Sequence, residues 1–209
     1  MRILLATRSR HKAGESRRIL AGVGDLELVT LDEAGIPERP EEDAIEAFET
    51  FEENALAKAR FFQERTGLAT LADDSGIAVD ALGGAPGVRS KRFAPDRGLS
   101  GQARDDENNR YLLERLAEVP QEDRTARYVC VAVLVEPERP ARVFRGEAPG
   151  IIVPEARGEG GFGYDPFFFD PELGRTFAEI SPEEKNARSH RGKAFSALAQ
   201  ALGQGGAGS

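Results

Sequence analysis

Apolar positions along the chain change rhythm repeatedly, and each change marks an element. Ile3 to Ala6 is a short unbroken apolar run, the pattern of a buried first strand. Polar Thr7 to His11 follow, and a helical pattern then runs from about Lys12 to Ala21, where Gly22 stops it. Leu26 to Leu31 reads as a second strand. Thr50-Phe51-Glu52-Glu53 has the form of a capping box, opening a helix to about Arg65 with Gly67 past its end. Strands are expected at Ala69 to Ala72 and at Ile77 to Ala81. Gly83-Gly84-Ala85-Pro86-Gly87 suits neither helix nor central strand and reads as a turn. Asn108 to Ala117 is a predicted helix, and Ala126 to Val135 with Ala141 to Ala148 form a β-branched hairpin pair. Ser181-Pro182-Glu183-Glu184 is a second capping box, with proline at the first helical position. The last helix carries Ala194, Phe195, Leu198, Ala199 and Leu202 on one face. Strand–helix alternation followed by a hairpin predicts an α/β fold with a mixed sheet flanked by helices. One domain, with two lobes, is expected over residues 1–202, and the glycine-rich tail 203–209 is expected to be disordered.

Composition adds exclusions. With 209 residues, 40% hydrophobic and 31% charged, the chain has ample material for a core. The net charge of −8 opposes non-specific adhesion to nucleic acid or an anionic membrane surface. A lone cysteine, Cys130, forms no internal disulfide, lies on an apolar strand and is expected in the core. The apolar stretch from Tyr128 to Val135 is too short to span a bilayer, and the first residues lack the apolar run of a signal peptide. A soluble protein of a reduced compartment, the cytoplasm, is the expectation.

The net figure hides segregation. Six bases and one acid fall between Met1 and Arg18, eight acids and one base between Glu38 and Glu53, and four bases with no acid between Lys185 and Lys193. Any one run reads equally as a solvated face. Together they suit a metal-bound polyanion, provided the fold gathers them.

Three segments place polar groups where folds often place sites. Thr7-Arg8-Ser9-Arg10-His11-Lys12 joins a strand to a helix, where backbone amides, hydroxyls and Lys12 attract phosphate. It lacks the Walker A spacing and taken alone fits an ordinary basic loop. Ala72-Asp73-Asp74-Ser75-Gly76 offers adjacent carboxylates that either cap a turn or hold Mg²⁺, whose octahedral shell takes one or two carboxylates with phosphate oxygens and water. The acidic stretch around Glu46 is a source of another. The third segment is bipartite: Gly160-Gly161-Phe162-Gly163-Tyr164-Asp165-Pro166, then Lys185 and Ser189-His190-Arg191-Gly192. Glycines beside Phe162 let a flat base stack on its ring, although a loop with core aromatics fits too, and Phe167 to Phe169 are expected in the core. His190 and Arg191 open the last helix, whose positive end favours an anion or a carbonyl oxygen. His11 reads as a loop residue rather than a base, and Tyr111 and Leu112 as helix-packing residues.

Taken in order, these motifs resemble the inosine/xanthosine triphosphate pyrophosphatase family. The series is Thr-x-x-x-x-Lys after the first strand, Thr50 to Ala59, Ala72 to Gly76, Leu82 to Gly87, Gly161 to Pro166 and Ser189 to Gly192, and it spans Met1 to about Leu202. One departure stands out: Ser9 and Arg8 occupy places where the family usually carries asparagine and often glycine. The resemblance implies a two-lobed fold with the active-site cleft between the lobes. It also implies a cytoplasmic homodimer that hydrolyses ITP, dITP and XTP, with Mg²⁺, to the monophosphate and pyrophosphate. Carried onto this sequence, Thr7, Arg8, Ser9, Arg10, His11, Lys12 and Lys58 hold phosphate. Asp74 is catalytic and a metal ligand, Glu46 is the second metal carboxylate, and Asp73 supports them. Ser75, Phe162, Gly163, Tyr164, Asp165, Lys185, His190 and Arg191 complete the nucleotide-binding set, with His190 and Arg191 as donors suited to a purine O6. A non-catalytic nucleotide-binding module on the same fold is the alternative; clustered metal carboxylates, which a pure binder does not need, weigh against it.

Overall fold

The computed structural model describes residues 1–205. In chain order these form β1 (Arg2–Leu5), α1 (Arg10–Leu20), β2 (Glu27–Thr30), α2 (Phe51–Thr66), β3 (Ala69–Val79), α3 (Gly101–Arg115), β4 (Thr125–Val135), β5 (Arg142–Ile152), β6 (Phe168–Asp170), β7 (Arg175–Thr176), α4 (Pro182–Arg188) and α5 (His190–Gly205). Short 3-10 segments lie at Pro40–Ala44, Asp80–Leu82, Gly87–Arg92 and Gln121–Asp123. The seven strands are hydrogen-bonded in the order β2-β1-β3-β4-β5-β6-β7. β1 runs parallel to β2 and β3, with Leu4 opposite Val29 and Thr70, whereas β6 is antiparallel to both β5 and β7. The sheet is mixed, as the alternation of elements predicts.

The chain divides into two compact units. The first comprises Met1–Asp74, Cys130–Gly146 and the chain from His190; the second comprises Ser75–Val129 and Glu147–Ser189. The core of the first unit gathers Ile3, Leu5, Leu20, Leu71, Cys130, Ala132, Leu134, Ala194, Phe195 and Leu198. Ala199 and Leu202 pack against its edge, so the predicted stripe of α5 does face the core. α1 packs on α5, and Gly146 on β5 admits the start of α5, since a Cβ there would collide with the His190 carbonyl and the Ala194 amide. The second unit has its own core of Ile77, Val79, Leu112, Leu116, Tyr128, Ile152, Tyr164, Phe168, Phe177 and Ile180, with Tyr128 and Phe177 stacked 5.9 Å apart.

Ser181 forms the full capping box, whereas Thr50 forms only its first half, the Glu53 carboxylate accepting the Thr50 hydroxyl instead of its amide. Thr50 accepts the Glu53 amide and Ser181 accepts the Glu184 amide, and Glu184 returns a bond to the Ser181 amide. α2 ends at Gly67 in the left-handed conformation.

Several boundaries differ, each for a physical reason. The two strands expected on either side of Asp73-Asp74-Ser75-Gly76 are one continuous strand, β3. Consecutive aspartates suggest a turn only when solvated, and here both are buried, at 1% and 7% exposure, with partners that replace water. α3 begins at Gly101, seven residues before the predicted start. Residues 101–107 hold no buried side chain, so hydrophobic periodicity has nothing to register before Asn108, which accepts the Ala94 amide and donates to the Lys91 carbonyl. β5 continues through Pro149-Gly150 to Ile152, the short β6 overlaps the Phe167 to Phe169 stretch expected in the core, and the two-residue β7 has no local signal. α5 runs on to Gly205. Residues 206–209 lie outside the described part.

Candidate active site

In the first unit the polar segments converge on the middle of β3. Ser9 is the N-cap of α1, its hydroxyl accepting the Lys12 amide at 3.4 Å, and the Thr7 hydroxyl accepts the Ser9 amide at 3.2 Å. Lys12, thus placed in the first turn of α1, sets its Nζ 3.1 Å from Asp73 Oδ2. The same oxygen accepts from Arg191 Nη2 at 3.1 Å, and Arg191 Nη1 reaches Glu15 Oε2 at 2.5 Å. Arg191 is 1% exposed and Glu15 6%, so α1, β3 and α5 are tied by a buried chain of charges. Asp73 Oδ1 is buried with no hydrogen-bond partner.

Asp74 has different neighbours. Its Oδ2 accepts from Asn54 Nδ2 at 3.0 Å, and Asn54 also bonds the amide and carbonyl of Phe48 at 2.9 and 3.2 Å. Asn54 lies in the first turn of α2, as fixed by the Thr50 cap. One helical turn on, Lys58 forms an ion pair with Glu46.

The electrostatics separate the two aspartates. Burial opposes charge on Asp73, but Lys12, Arg191 and Lys58 outweigh it and hold the carboxyl well below its usual range. Burial pushes Asp74 up, and the negative charge of Glu46 adds to the rise although Lys12, Lys58 and Asn54 act against it. Lys58, also desolvated, is held above its ordinary value by Glu46, Asp73 and Asp74. Glu46 is lowered because Lys58 and Lys12 overcome its burial. Two carboxylates that repel one another beside two ammonium groups suit a phosphate-bound divalent cation: the cation relieves the repulsion, and phosphate answers the lysines. Among the described residues no group of three acidic, histidine or cysteine side chains forms a metal site.

Not every expected residue joins this group. Arg10 and His11 are exposed. Arg8 turns to Glu42, Asp32 and the Ile36 carbonyl. His190 is buried at the start of α5, beside Arg191.

The second unit holds the aromatic loop. Asp165 is its hub: Oδ2 accepts the Phe162 amide at 2.8 Å and Lys185 Nζ at 2.6 Å, and Oδ1 accepts the Tyr128 hydroxyl at 3.2 Å. Gly161 has a φ of +74°, and a Cβ there would strike the Asp165 carboxylate. Lys185 Nζ lies 4.8 Å from the centroid of the half-buried Phe162 ring. Two residues one turn apart on α3 grip the next residue, Gly163: Asp105 accepts its amide at 3.0 Å and Asn109 donates to its carbonyl at 2.8 Å. Tyr164 donates to the Ser90 carbonyl at 2.8 Å, and burial holds its phenol above the usual range. Ser75 is half-buried, and Ser189 is the C-cap of α4, its amide bonded to the Lys185 carbonyl.

Sequence reasoning missed Glu15, Asn54, Asp105 and Asn109. Asp105 and Asn109 had a signal, the i, i+4 spacing of polar residues, but only the fold shows what that face meets.

The fold and these clusters define a mixed-sheet α/β protein with adjacent buried aspartates among lysines on its third strand. The chain belongs to the Ham1 family, which it matches over residues 3–201. It is 48% identical over 203 residues to the dITP/XTP pyrophosphatase of Frankia alni, covering 97% of each chain. It is 47% identical to the dITP/XTP pyrophosphatase of Thermus thermophilus, covering 98% of this chain and 93% of that one. Among solved structures, a HAM1 protein from Coxiella burnetii superposes with a TM-score of 0.84 at 37% identity, over 98% of this chain and 99% of that one.

Proposed function

We propose that this protein hydrolyses the deaminated purine nucleotides ITP, dITP and XTP to the monophosphate and pyrophosphate, with Mg²⁺, and so clears them from the nucleotide pool. The observation that carries this reading is the adjacent buried Asp73 and Asp74 on β3, with Lys12 paired to Asp73, Asn54 bonded to Asp74 and, one helical turn beyond Asn54, Lys58 paired to Glu46. The names borne by the relatives from Frankia alni and Thermus thermophilus support the substrate class.

Water attacking the α-phosphorus must lose a proton while charge grows on the departing pyrophosphate. Asp74, pushed up by burial, is the proton acceptor, and Asn54 orients its carboxylate. Lys12 and Lys58, with the backbone and hydroxyls of Thr7 and Ser9 at the head of α1, bind the phosphates and stabilise the leaving charge. Mg²⁺, held through Asp74 and Glu46, supplies charge neutralisation at phosphate oxygens when bound. Asp73, ionised among Lys12 and Arg191, keeps Lys12 in position. Arg191 therefore contributes through Asp73 and Glu15, with two of its nitrogens spent on carboxylates, and the role of donor to a purine O6 passes to His190. Phe162 takes the base on its ring, and Gly163, Tyr164, Asp165 and Lys185 fix the loop that carries it; Ser75 completes the set. The family resemblance extends the reading to a homodimer in the cytoplasm.

The test is pyrophosphate release from ITP by the wild-type protein and by Asp74→Asn, each with and without Mg²⁺. The reading expects release only from wild type with metal. Tight ITP binding without release in any arm would instead identify a non-catalytic nucleotide-binding module.

A further inference from the structure

Arg8 stands between Thr7 and Ser9, in the segment assigned to phosphate, yet its guanidinium is committed elsewhere. Nε lies 3.0 Å from Glu42 Oε2 and Nη2 lies 2.7 Å from Glu42 Oε1, a two-pronged pair. Nη1 donates to the Ile36 carbonyl at 2.8 Å and lies 3.4 Å from Asp32 Oδ1. All three nitrogens are engaged, and the two paired side chains are only 23% and 13% exposed, so solvent does little to weaken them.

Glu42 passes the anchorage on. Its Oε1 also accepts the Arg39 amide at 3.1 Å, which closes the 3-10 segment Pro40–Ala44, and its carbonyl accepts the Ile45 amide at 3.2 Å. The next residue is Glu46. The segment that delivers this carboxylate toward Lys58 is otherwise mostly exposed and short, with little apolar burial to hold it.

We propose that Arg8 is a positioning residue, a strut from the Thr7–Lys12 segment to Glu42 that fixes where Glu46 presents its carboxylate. The inference rests on the proposed function for its catalytic consequence, though not for its structural one. A strut differs from a phosphate contact in a testable way. Cutting it at either end has the same effect, and that effect falls on the acidic segment and on metal use rather than on nucleotide affinity.

The experiment compares Arg8→Ala, Glu42→Ala and the charge-reversed pair Arg8→Glu/Glu42→Arg in the full chain. Amide hydrogen exchange over residues 39–46 is expected to quicken about tenfold in both single variants while β1 stays protected. The Mg²⁺ concentration for half-maximal pyrophosphate release should rise by about three- to tenfold, less than for groups bonded directly to a metal ligand. KM for ITP at saturating Mg²⁺ should stay within about twofold, and the reversed pair should recover part of both losses. Should a single variant fold poorly, Arg8→Lys, which keeps the charge but loses the fork, gives the same readouts. A raised KM in Arg8→Ala with unchanged exchange and metal demand in Glu42→Ala would overturn the proposal and make Arg8 a phosphate contact. Absence of pyrophosphate release from wild type would defeat the proposed function instead, and the exchange measurement would still decide for or against the strut.

Discussion

Asp73 and Asp74 are neighbours on one strand with opposite electrostatics. Alternation along β3 sends them to opposite faces, so one meets Lys12 and Arg191 and the other meets Asn54. Asp73 is held low and therefore binds its proton less readily folded than unfolded. Its contribution to stability is full above the unfolded value near about pH 4 and is lost as pH falls through the lower folded value. Asp73→Asn should accordingly flatten the acid side of a stability–pH curve measured by urea unfolding; an unchanged acid slope would refute the ion-pair account. Asp74 works in the other sense. Burial already disfavours its charge, so Asp74→Asn should leave the thermal midpoint unchanged or slightly higher while turnover falls roughly 10²–10⁴-fold. Arg191→Ala removes a cation from each of two buried carboxylates, Glu15 and Asp73, and should cost about 3–5 kcal/mol in urea unfolding. If Arg191 reached the base, the same variant would shift the ITP/ATP ratio of kcat/KM, whereas a role through Asp73 leaves that ratio unchanged.

Among the elements, those whose buried face is apolar were readable and those whose buried face is polar were not. β1, β4 and the stripe of α5 follow from apolar runs or periodicity, and the caps at Thr50 and Ser181 follow from residue type and spacing. The continuity of β3 was hidden because Asp73 and Asp74 are buried by partners from α1, α2 and α5, which no local pattern announces. The first seven residues of α3 were hidden because they bury no side chain, and with them Asp105's share of the grip on Gly163. The candidate site shows the same division. Residue types at Lys12, Lys58, Asp73 and Asp74 announce it, but Arg8 and Arg191 carry the same announcement and are spent on carboxylates. Asn109→Ala removes the donor to the Gly163 carbonyl beside Phe162 and should cost about 1–2 kcal/mol of stability. On the proposed function it should also raise KM for ITP with kcat nearly unchanged, since base stacking is ground-state binding. A normal KM would show that the loop keeps Phe162 in place without α3.

At the scale of the whole molecule, the segregated charge has a use that the net −8 conceals. The basic run of the first eighteen residues and the acidic run from Glu38 to Glu53 belong to the first unit, whereas the run Lys185 to Lys193 is divided, with Lys185 and Arg188 in the second unit and Arg191 and Lys193 in the first. Arg8–Glu42 joins the first basic run to the acidic one, while Glu46 is answered by Lys58 of α2 and Arg191 by Glu15. The second unit carries the aromatic loop and its own core. On the proposed function, the phosphate contacts come from the first unit and the stacking ring of Phe162 from the second. The measurement that tests this account most directly is a panel of ITP, dITP, XTP, GTP and ATP, assayed with Mg²⁺ for both pyrophosphate and orthophosphate. The account predicts pyrophosphate as the phosphorus product, loss of release when Mg²⁺ is removed, and kcat/KM for the deaminated purines far above that for ATP, roughly 10⁴-fold if a buried donor is left unpaired by the adenine amino group. Orthophosphate as the product, or equal rates with ATP and ITP, would contradict it.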